Sequence, residues 1–456
     1  MYIEQIYTSC LAQASYYIES EGEAVIIDPI RDSEPYLSLL KTRNANLKYI
    51  LETHFHADFV SGHIELATLT NAQIVFGPNA NTSYKCIVAD DQEEFCVGEL
   101  VFRVLHTPGH TMESTCYLLL SKENIEKAVF TGDTLFVGEV GRPDLAVNPN
   151  LTSMDLAKKL YHSIHNILMK LSDDVVVYPG HGAGSACGKN ISKERESTIG
   201  MQKKCNYALQ SMSEDKFVEI VLDGIAPAPI YFAHDVNLNK NGYQSVSDTL
   251  SKSLNQLSVK QIESEIENGA MILDVRLPND FEKGFIPGSI NVGKTGMFAP
   301  WVGTIISPEK KLIIVCNIGE EEEVVSRLAR IGYENIIGYI NALDDWKIDK
   351  QEIDIVESIH ASEILSHVND KSVILDVRKN TELELGFVKN SINIPLDKLK
   401  DSLNKIKKTD NFLIYCAGGY RSMIASSILK SKGYQNIKNI YGGFNAISKN
   451  VDSCII

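Results

Sequence analysis

The chain has 456 residues, 44% of them hydrophobic, and a formal net charge of −15. That length exceeds one ordinary domain, and the apolar fraction suits a soluble α/β multidomain protein. The acidic balance argues against nucleic acid, which needs clustered Lys and Arg, and against an anionic membrane surface. At the N-terminus, "MYIEQIYTSCLAQASYY" carries acids where a secretory signal would be basic, and it has no long apolar core. No later run of about 18 apolar residues forms a membrane-spanning candidate. The nine cysteines are scattered and never form C-x-x-C, which predicts a reduced, cytoplasmic thiol set.

Through residue 245 short apolar runs alternate with Gly-, Pro- and Asp-bearing turns. "EAVIIDP", "LKYILET", "AQIVFGP", "LVFRVLH", "AVFTGD" and "VVVYPGH" each predict a buried strand. "SGHIELATLTN", with Ser61 as the expected cap, and "DLAKKLYHSIHNILMKL" have the spacing of amphipathic helices. A polar stretch near residues 240–255 predicts a boundary. The remainder contains a repeat. "ILDVRLPNDFEKGFIPGSINV" matches "ILDVRKNTELELGFVKNSINI", and "LIIVCNIGEEEEV" matches "FLIYCAGGYRSMI". Each copy reads strand, loop, strand ending in Cys, tight loop, helix. Two tandem domains are expected, at 255–350 and 355–456.

His54, His56 and Asp58 follow the strand "LKYILET"; in an extended segment these alternate positions share one face. "TPGHT" adds His110, "FTGDT" adds Asp133 and "YPGHG" adds His181, all in glycine-bearing turns after apolar strands. This ordered set resembles the metallo-β-lactamase superfamily over residues 1–245. The resemblance implies an αββα sandwich with metal at one edge. For members holding two zinc ions it implies one site of His54, His56 and His110. A second would use Asp58, the residue at Phe59 and His181, with Asp133 bridging. Phe59 cannot coordinate and its ring dries the space, so one ion is expected. A face of His54, His110 and Asp133 suits Fe(II) and dioxygen, whereas Zn(II) suits hydrolysis; spacing does not choose between them.

"YCAGGYRSM" fits C-x-x-G-x-R-[ST] with Cys416, Gly419, Arg421 and Ser422. Successive loop N–H groups, a helix N-terminus and a permanent cation favour an attacking thiolate and hold a sulfur-bearing anion. With "LDVR" and "SINIP" in place, residues 355–456 resemble a rhodanese domain, which implies that Cys416 carries a persulfide. In the other copy Cys316 remains, but Glu321 stands opposite Arg421 among Glu320, Glu322 and Glu323. Carboxylates repel a sulfur oxyanion, and acids there complement a helix N-terminus. That domain resembles a degenerate rhodanese in which Cys316 is not catalytic.

The whole chain resembles the persulfide dioxygenase–rhodanese fusion family. The resemblance implies one Fe(II) in the dioxygenase domain on His54, His110 and Asp133. It leaves His56, Asp58 and His181 as supporting groups or as remnants of a two-metal ancestor. It implies a low-molecular-weight thiol persulfide, O2 and sulfite as reactants, thiosulfate as product, and a homo-oligomer. The alternative is a zinc-dependent, glyoxalase II-like thioester hydrolase fused to a sulfurtransferase. A third reading is a non-catalytic persulfide sensor. Arg142 is a candidate anion holder, with a plain surface salt bridge as the alternative; Cys187 and Cys205 are candidate substrate contacts, with inert thiols as the plainer reading. His63 and His106 are expected to be structural; His162 and His165 fall on polar or boundary faces of an amphipathic helix, with no ligand partner in the pattern.

Overall fold

The short apolar runs become the strands of two layered sheets and two smaller ones. The computed structural model describes residues 1–451 except 342, 344, 345 and 348–350. The expected domain ends at 350 and 456, and Cys454, lie outside the described residues. The chain divides into two units: Met1–Val246 with Leu328–Gly332, and Ser247–Arg327 with Tyr333–Ile456. Among the described residues no helix is long and apolar enough to cross a membrane.

In the first unit β1 (Tyr2–Thr8), β2 (Gln13–Ser20), β3 (Glu23–Ile27), β4 (Asn46–Glu52), β5 (Gln73–Phe76) and β6 (Ile87–Val88) form one sheet in that order. The second sheet holds β7 (Glu94–Val97), β8 (Leu100–His106), β9 (Thr115–Leu120), β10 (Glu126–Gly132), β11 (Val176–Pro179) and β12 (Ser197–Thr198), again in order. Alternation along the strands explains the sandwich. Tyr16, Ile18, Val25 and Ile27 of one sheet share a core with Phe102, Val104, Tyr117 and Leu119 of the other. The opposite face of the second sheet, with Leu118, Leu120 and Val129, packs on Leu160, Ile164 and Leu168. All six residues of β9 are therefore buried. The layered sandwich expected from the sequence is present.

Two local expectations change. The helix His63–Thr70 starts at Gly62 without a side-chain cap. Ser61 Oγ is instead turned inward, within hydrogen-bond distance of Glu52 Oε1 at 2.6 Å and Pro29 O at 3.0 Å. The predicted helix after residue 153 is regular only over Ser153–His162. It then widens into a π turn, Ser163–Ile167, where Ser163 Oγ bonds Pro108 O at 2.7 Å.

The second unit repeats one design. β13 (Met271–Asp274), β14 (Ile290–Asn291), β15 (Leu312–Cys316) and β16 (Ile336–Asn341) form a parallel sheet in the order β14-β13-β15-β16. β17 (Glu357–Ile359), β18 (Ser372–Asp376), β19 (Ile392–Asn393), β20 (Asn411–Tyr415) and β21 (Ile437–Ile440) form another, β17-β21-β20-β18-β19. The "LDVR" motif does the same work in both. Arg276 closes a buried pair with Asp274, and Arg378 with Asp376 at 2.7 Å. Asn291 and Asn393 each donate to both flanking carbonyls of their own motif. Removing one partner strands a buried charge. Asp376→Ala is expected to destabilise its domain by about 3–5 kcal/mol, seen as a separate low-temperature transition in calorimetry of the full chain.

Candidate functional site

The segment after β4 is a bent loop, not an extended strand. His54, His56 and Asp58 therefore do not share a face; the alternation rule fails because it holds only for extended backbone. The bends are fixed from a distance. Asn239 donates to His56 O at 2.8 Å and Phe59 O at 2.9 Å, and accepts from Ser61 N at 2.9 Å.

His54 turns toward His110 and Asp133. Its Nε2 lies 3.9 Å from Asp133 Oδ2, and His110 Nε2 lies 3.6 Å from the same oxygen. All three atoms are buried and have no hydrogen-bond partner. The other nitrogen of each ring is occupied. His54 Nδ1 meets Thr53 Oγ1 at 2.9 Å, whose own proton goes to Asp28 Oδ2 at 2.7 Å. His110 Nδ1 donates to Arg142 O at 2.8 Å. Both protons thus sit on Nδ1, and both Nε2 lone pairs point at one space. Burial also holds His54 well below the usual imidazole range, in the neutral form a metal requires. Orphaned buried donors that converge are what a cation satisfies, so these residues fit a metal ion.

His181 sits behind Asp133. Its Nδ1 bonds Asp133 Oδ1 at 2.7 Å, and its Nε2 lies 2.8 Å from Asp58 Oδ2. Burial would lower this imidazole, but carboxylates on both sides raise it well above its usual range. Burial likewise raises Asp133, but the charge and hydrogen bond of His181, together with His54 and His110, outweigh it and hold the carboxyl far below the ordinary range. Cys187 joins Asp58 and His181 in a second buried trio, its thiol pushed well up by burial and then by Asp58. The His56 ring packs 4.3 Å from that of His54, but its Nε2 is directed to other groups, 3.1 Å from Asp28 Oδ1 and 3.5 Å from Glu52 Oε2. Burial and the nearby Asp28 raise Glu52 well above the carboxylate range. Phe59, fully buried, packs its ring 4.3 Å from that of His56 and 6.5 Å from that of His181.

Arg142 is buried and its donors are directed inward, to Asp144 at 2.6 and 2.8 Å, Ala186 O and Ala226 O. Its clearest contribution is the carbonyl that orients His110. A cleft beside the site is lined by Gly141, Arg142, Gly188, Lys189 and Tyr207. Gly141 has no room for a side chain: a Cβ there would lie 1.9 Å from Asp133 O. Cys205 is exposed at the end of the helix Ile199–Cys205 and belongs to none of the buried clusters. Thr53, Asp28, Glu52 and Asn239 were not legible as site residues; "IIDP" and "LETH", hydrophobic strands ending in acids, held the only signal.

In the second unit Cys416 follows β20, and the helix Tyr420–Ser431 starts at Gly419. Gly419 N donates to Cys416 Sγ at 3.0 Å, and Sγ lies 3.7 Å from Ser422 Oγ. Arg421 is paired: its guanidinium makes two bonds to Glu382, at 2.6 and 2.7 Å. The cation expected over the loop is thus half of an ion pair. Cys316, in the equivalent place, is buried and pushed up to about 12 by burial, then Glu321 and Glu320. Those acids serve the helix start: Gly319 N donates to Glu321 Oε1 at 3.1 Å. Lys294 pairs with Glu320 at 3.0 Å and Glu323 at 2.9 Å.

The model of the metallo-beta-lactamase superfamily matches residues 8–181, and the rhodanese-like domain model matches 258–349 and 360–450. A probable hydroxyacylglutathione hydrolase of Schizosaccharomyces pombe is 36% identical over 34% of this chain and 57% of its own length, so the chain spans little more than half of that relative. The mitochondrial persulfide dioxygenase ETHE1 of Homo sapiens is 27% identical over 47% of this chain and 78% of its own. A solved metallo-beta-lactamase from Staphylococcus aureus is 29% identical, with TM-score 0.66, over 75% of this chain and 99% of that one.

Two outcomes are expected. Thr53→Val removes the acceptor for His54 Nδ1 and lowers metal affinity about 10- to 100-fold, measured by chelator competition. Cys316, its thiol pushed up by burial and the neighbouring acids, stays unmodified by iodoacetamide under conditions that alkylate Cys416.

Proposed function

We propose, for this chain, which belongs to the metallo-β-lactamase superfamily through its first domain and carries two rhodanese-like domains after it, a two-step persulfide chemistry. A low-molecular-weight thiol persulfide, O2 and water give the free thiol, sulfite and protons at the first site. Cys416 then takes the outer sulfur of a second persulfide, releasing its thiol, and passes that sulfur to sulfite as thiosulfate. The observation that carries the reading is Phe59. Its ring packs against those of His56 and His181 and offers no ligand atom where the resemblance expects a second-site ligand, while His181 has a carboxylate at each nitrogen. That arrangement favours a single ion over a pair.

His54 Nε2, His110 Nε2 and Asp133 Oδ2 would hold Fe(II), which supplies the redox change that dioxygen chemistry requires. The chain's own residues set the conditions around it. Thr53 and the Arg142 carbonyl keep the two imidazoles in the ligating tautomer. Phe59 and Phe136 exclude water from the His181 side. At the second site the Gly419 N–H, at the start of the helix Tyr420–Ser431, stabilises negative charge on Cys416 sulfur. A cysteine persulfide attacked by sulfite leaves as thiolate, so the same donor serves both halves of the transfer. The degenerate domain lacks these features: its thiol stays protonated among acids.

One feature favours a second reading, a zinc-dependent thioester hydrolase: Asp58, His181 and Cys187 form a further buried donor set. The two readings separate cleanly. Protein purified without oxygen is expected to carry iron and to take up O2 on addition of a small persulfide. His110→Ala is expected to cut uptake at least about 100-fold. Cys416→Ser is expected to retain uptake while sulfite accumulates in place of thiosulfate. Two zinc ions with thioester hydrolysis and no uptake would establish the hydrolase, and thiosulfate from the cysteine variant would refute the division of labour.

A further inference from the structure

The degenerate domain is joined to the catalytic loop by a chain of buried and partly buried polar groups. Glu282 follows the short helix Pro278–Phe281 of the degenerate domain and is nearly buried. Its carboxylate accepts from Ser358 Oγ and from Tyr441 Oη, both of the catalytic domain. Ser358 on β17 stands opposite Asn439 on β21. Asn439 Nδ2 donates to Ser358 Oγ at 3.1 Å, and Asn439 Oδ1 accepts from Ser422 Oγ at 2.6 Å. Ser422 Oγ is the atom 3.7 Å from Cys416 Sγ. Asn439 and Ser422 are buried. Two other contacts seat the domains beside this chain. Tyr420 Oη donates to Gly293 O at 2.8 Å, and Asn291 N donates to Ser427 Oγ at 3.0 Å.

The chain has a direction. A carboxylate only accepts, so the single Ser358 hydroxyl proton goes to Glu282. Ser358 then offers lone pairs to its strand neighbour, which turns the Asn439 amide nitrogen toward it. The amide oxygen is left for Ser422, whose one proton is thereby directed away from sulfur. Ser422 consequently presents a lone pair to Cys416. We propose that Glu282 is a positioning residue for sulfur transfer: across the domain boundary it fixes the direction of the Ser358–Asn439–Ser422 hydrogen bonds and with it the hydrogen-bond partner that Cys416 meets. The domain without a working thiol thus governs the one that has it. The inference rests on the reading of Cys416 as the sulfur-accepting thiol.

Replacing Glu282 by its amide supplies a donor and lets the chain run the other way. Ser358 can then donate to the Asn439 oxygen, the Asn439 nitrogen to Ser422, and Ser422 to the Cys416 thiolate. The Gly419 carbonyl, 3.0 Å from Ser422 Oγ, is the competing acceptor. Two ion pairs also border the loop, Arg421 with Glu382 and Arg378 with Asp376; the variants leave both intact.

The test is the pH profile of iodoacetamide alkylation, read by mass spectrometry on the Cys416 peptide of the full chain. Glu282→Gln is expected to lower the half-maximal pH by about half a unit, a roughly threefold faster reaction near neutrality. Ser358→Ala, which keeps the Glu282 charge and breaks the chain, is expected to shift it the same way and decides alone if the first variant does not fold. In a Ser422→Ala background the Glu282→Gln shift should vanish. A shift of equal size there would mean a through-space charge effect and overturn the inference, as would superposable profiles for both single variants. A Cys416 that shows these profiles yet takes no sulfur from a persulfide would refute the transfer chemistry and leave the positioning role standing.

Discussion

Imidazole offers a metal only the nitrogen that holds no proton, so the centre of the first unit depends on where two Nδ1 protons go. One goes to Thr53, which is anchored in turn by Asp28; the other goes to the Arg142 carbonyl. These bonds come from loops at the ends of different strands, so the sandwich must form before the tautomers are set. Asp133 completes the face with the oxygen that His181 leaves unpartnered. Fold and chemistry meet in those few contacts. Burying three unpaired donors is costly, and a bound cation removes that cost.

The same economy explains the neighbouring charges. Asp58, His181 and Asp133 form a line of alternating charge. Asp28 and Glu52 face His56 on the other side of the loop. Phe59 separates the two groups with a ring that neither coordinates nor hydrogen-bonds. An aromatic side chain there contributes packing and no ligand atom.

The strands, the tandem repeat and the two candidate site loops were legible in the sequence because apolar runs, glycine turns and duplicated motifs are local signals. "ILDVR" appears twice and folds into the same buried ion pair twice. The orientation of His54, His56 and Asp58 was not legible. It depends on loop bends held by Asn239, which lies far along the chain and has no motif of its own. Arg421 reads as a lone cation until Glu382, from a separate turn, is seen against it. Arg142 reads equally as an anion holder or as half of a salt bridge; its side chain is paired with Asp144, and its carbonyl, which no pattern announces, reaches His110. Side-chain direction and long-range partners are tertiary facts, and pattern alone does not carry them.

The central claim is a single ion on His54, His110 and Asp133. Anomalous diffraction from crystals of protein purified without air, collected on both sides of the iron and zinc edges, addresses it directly. The account predicts one iron peak per chain, bounded by those three residues, with no density between Asp58 and His181. Paired zinc peaks sharing Asp133 would contradict it.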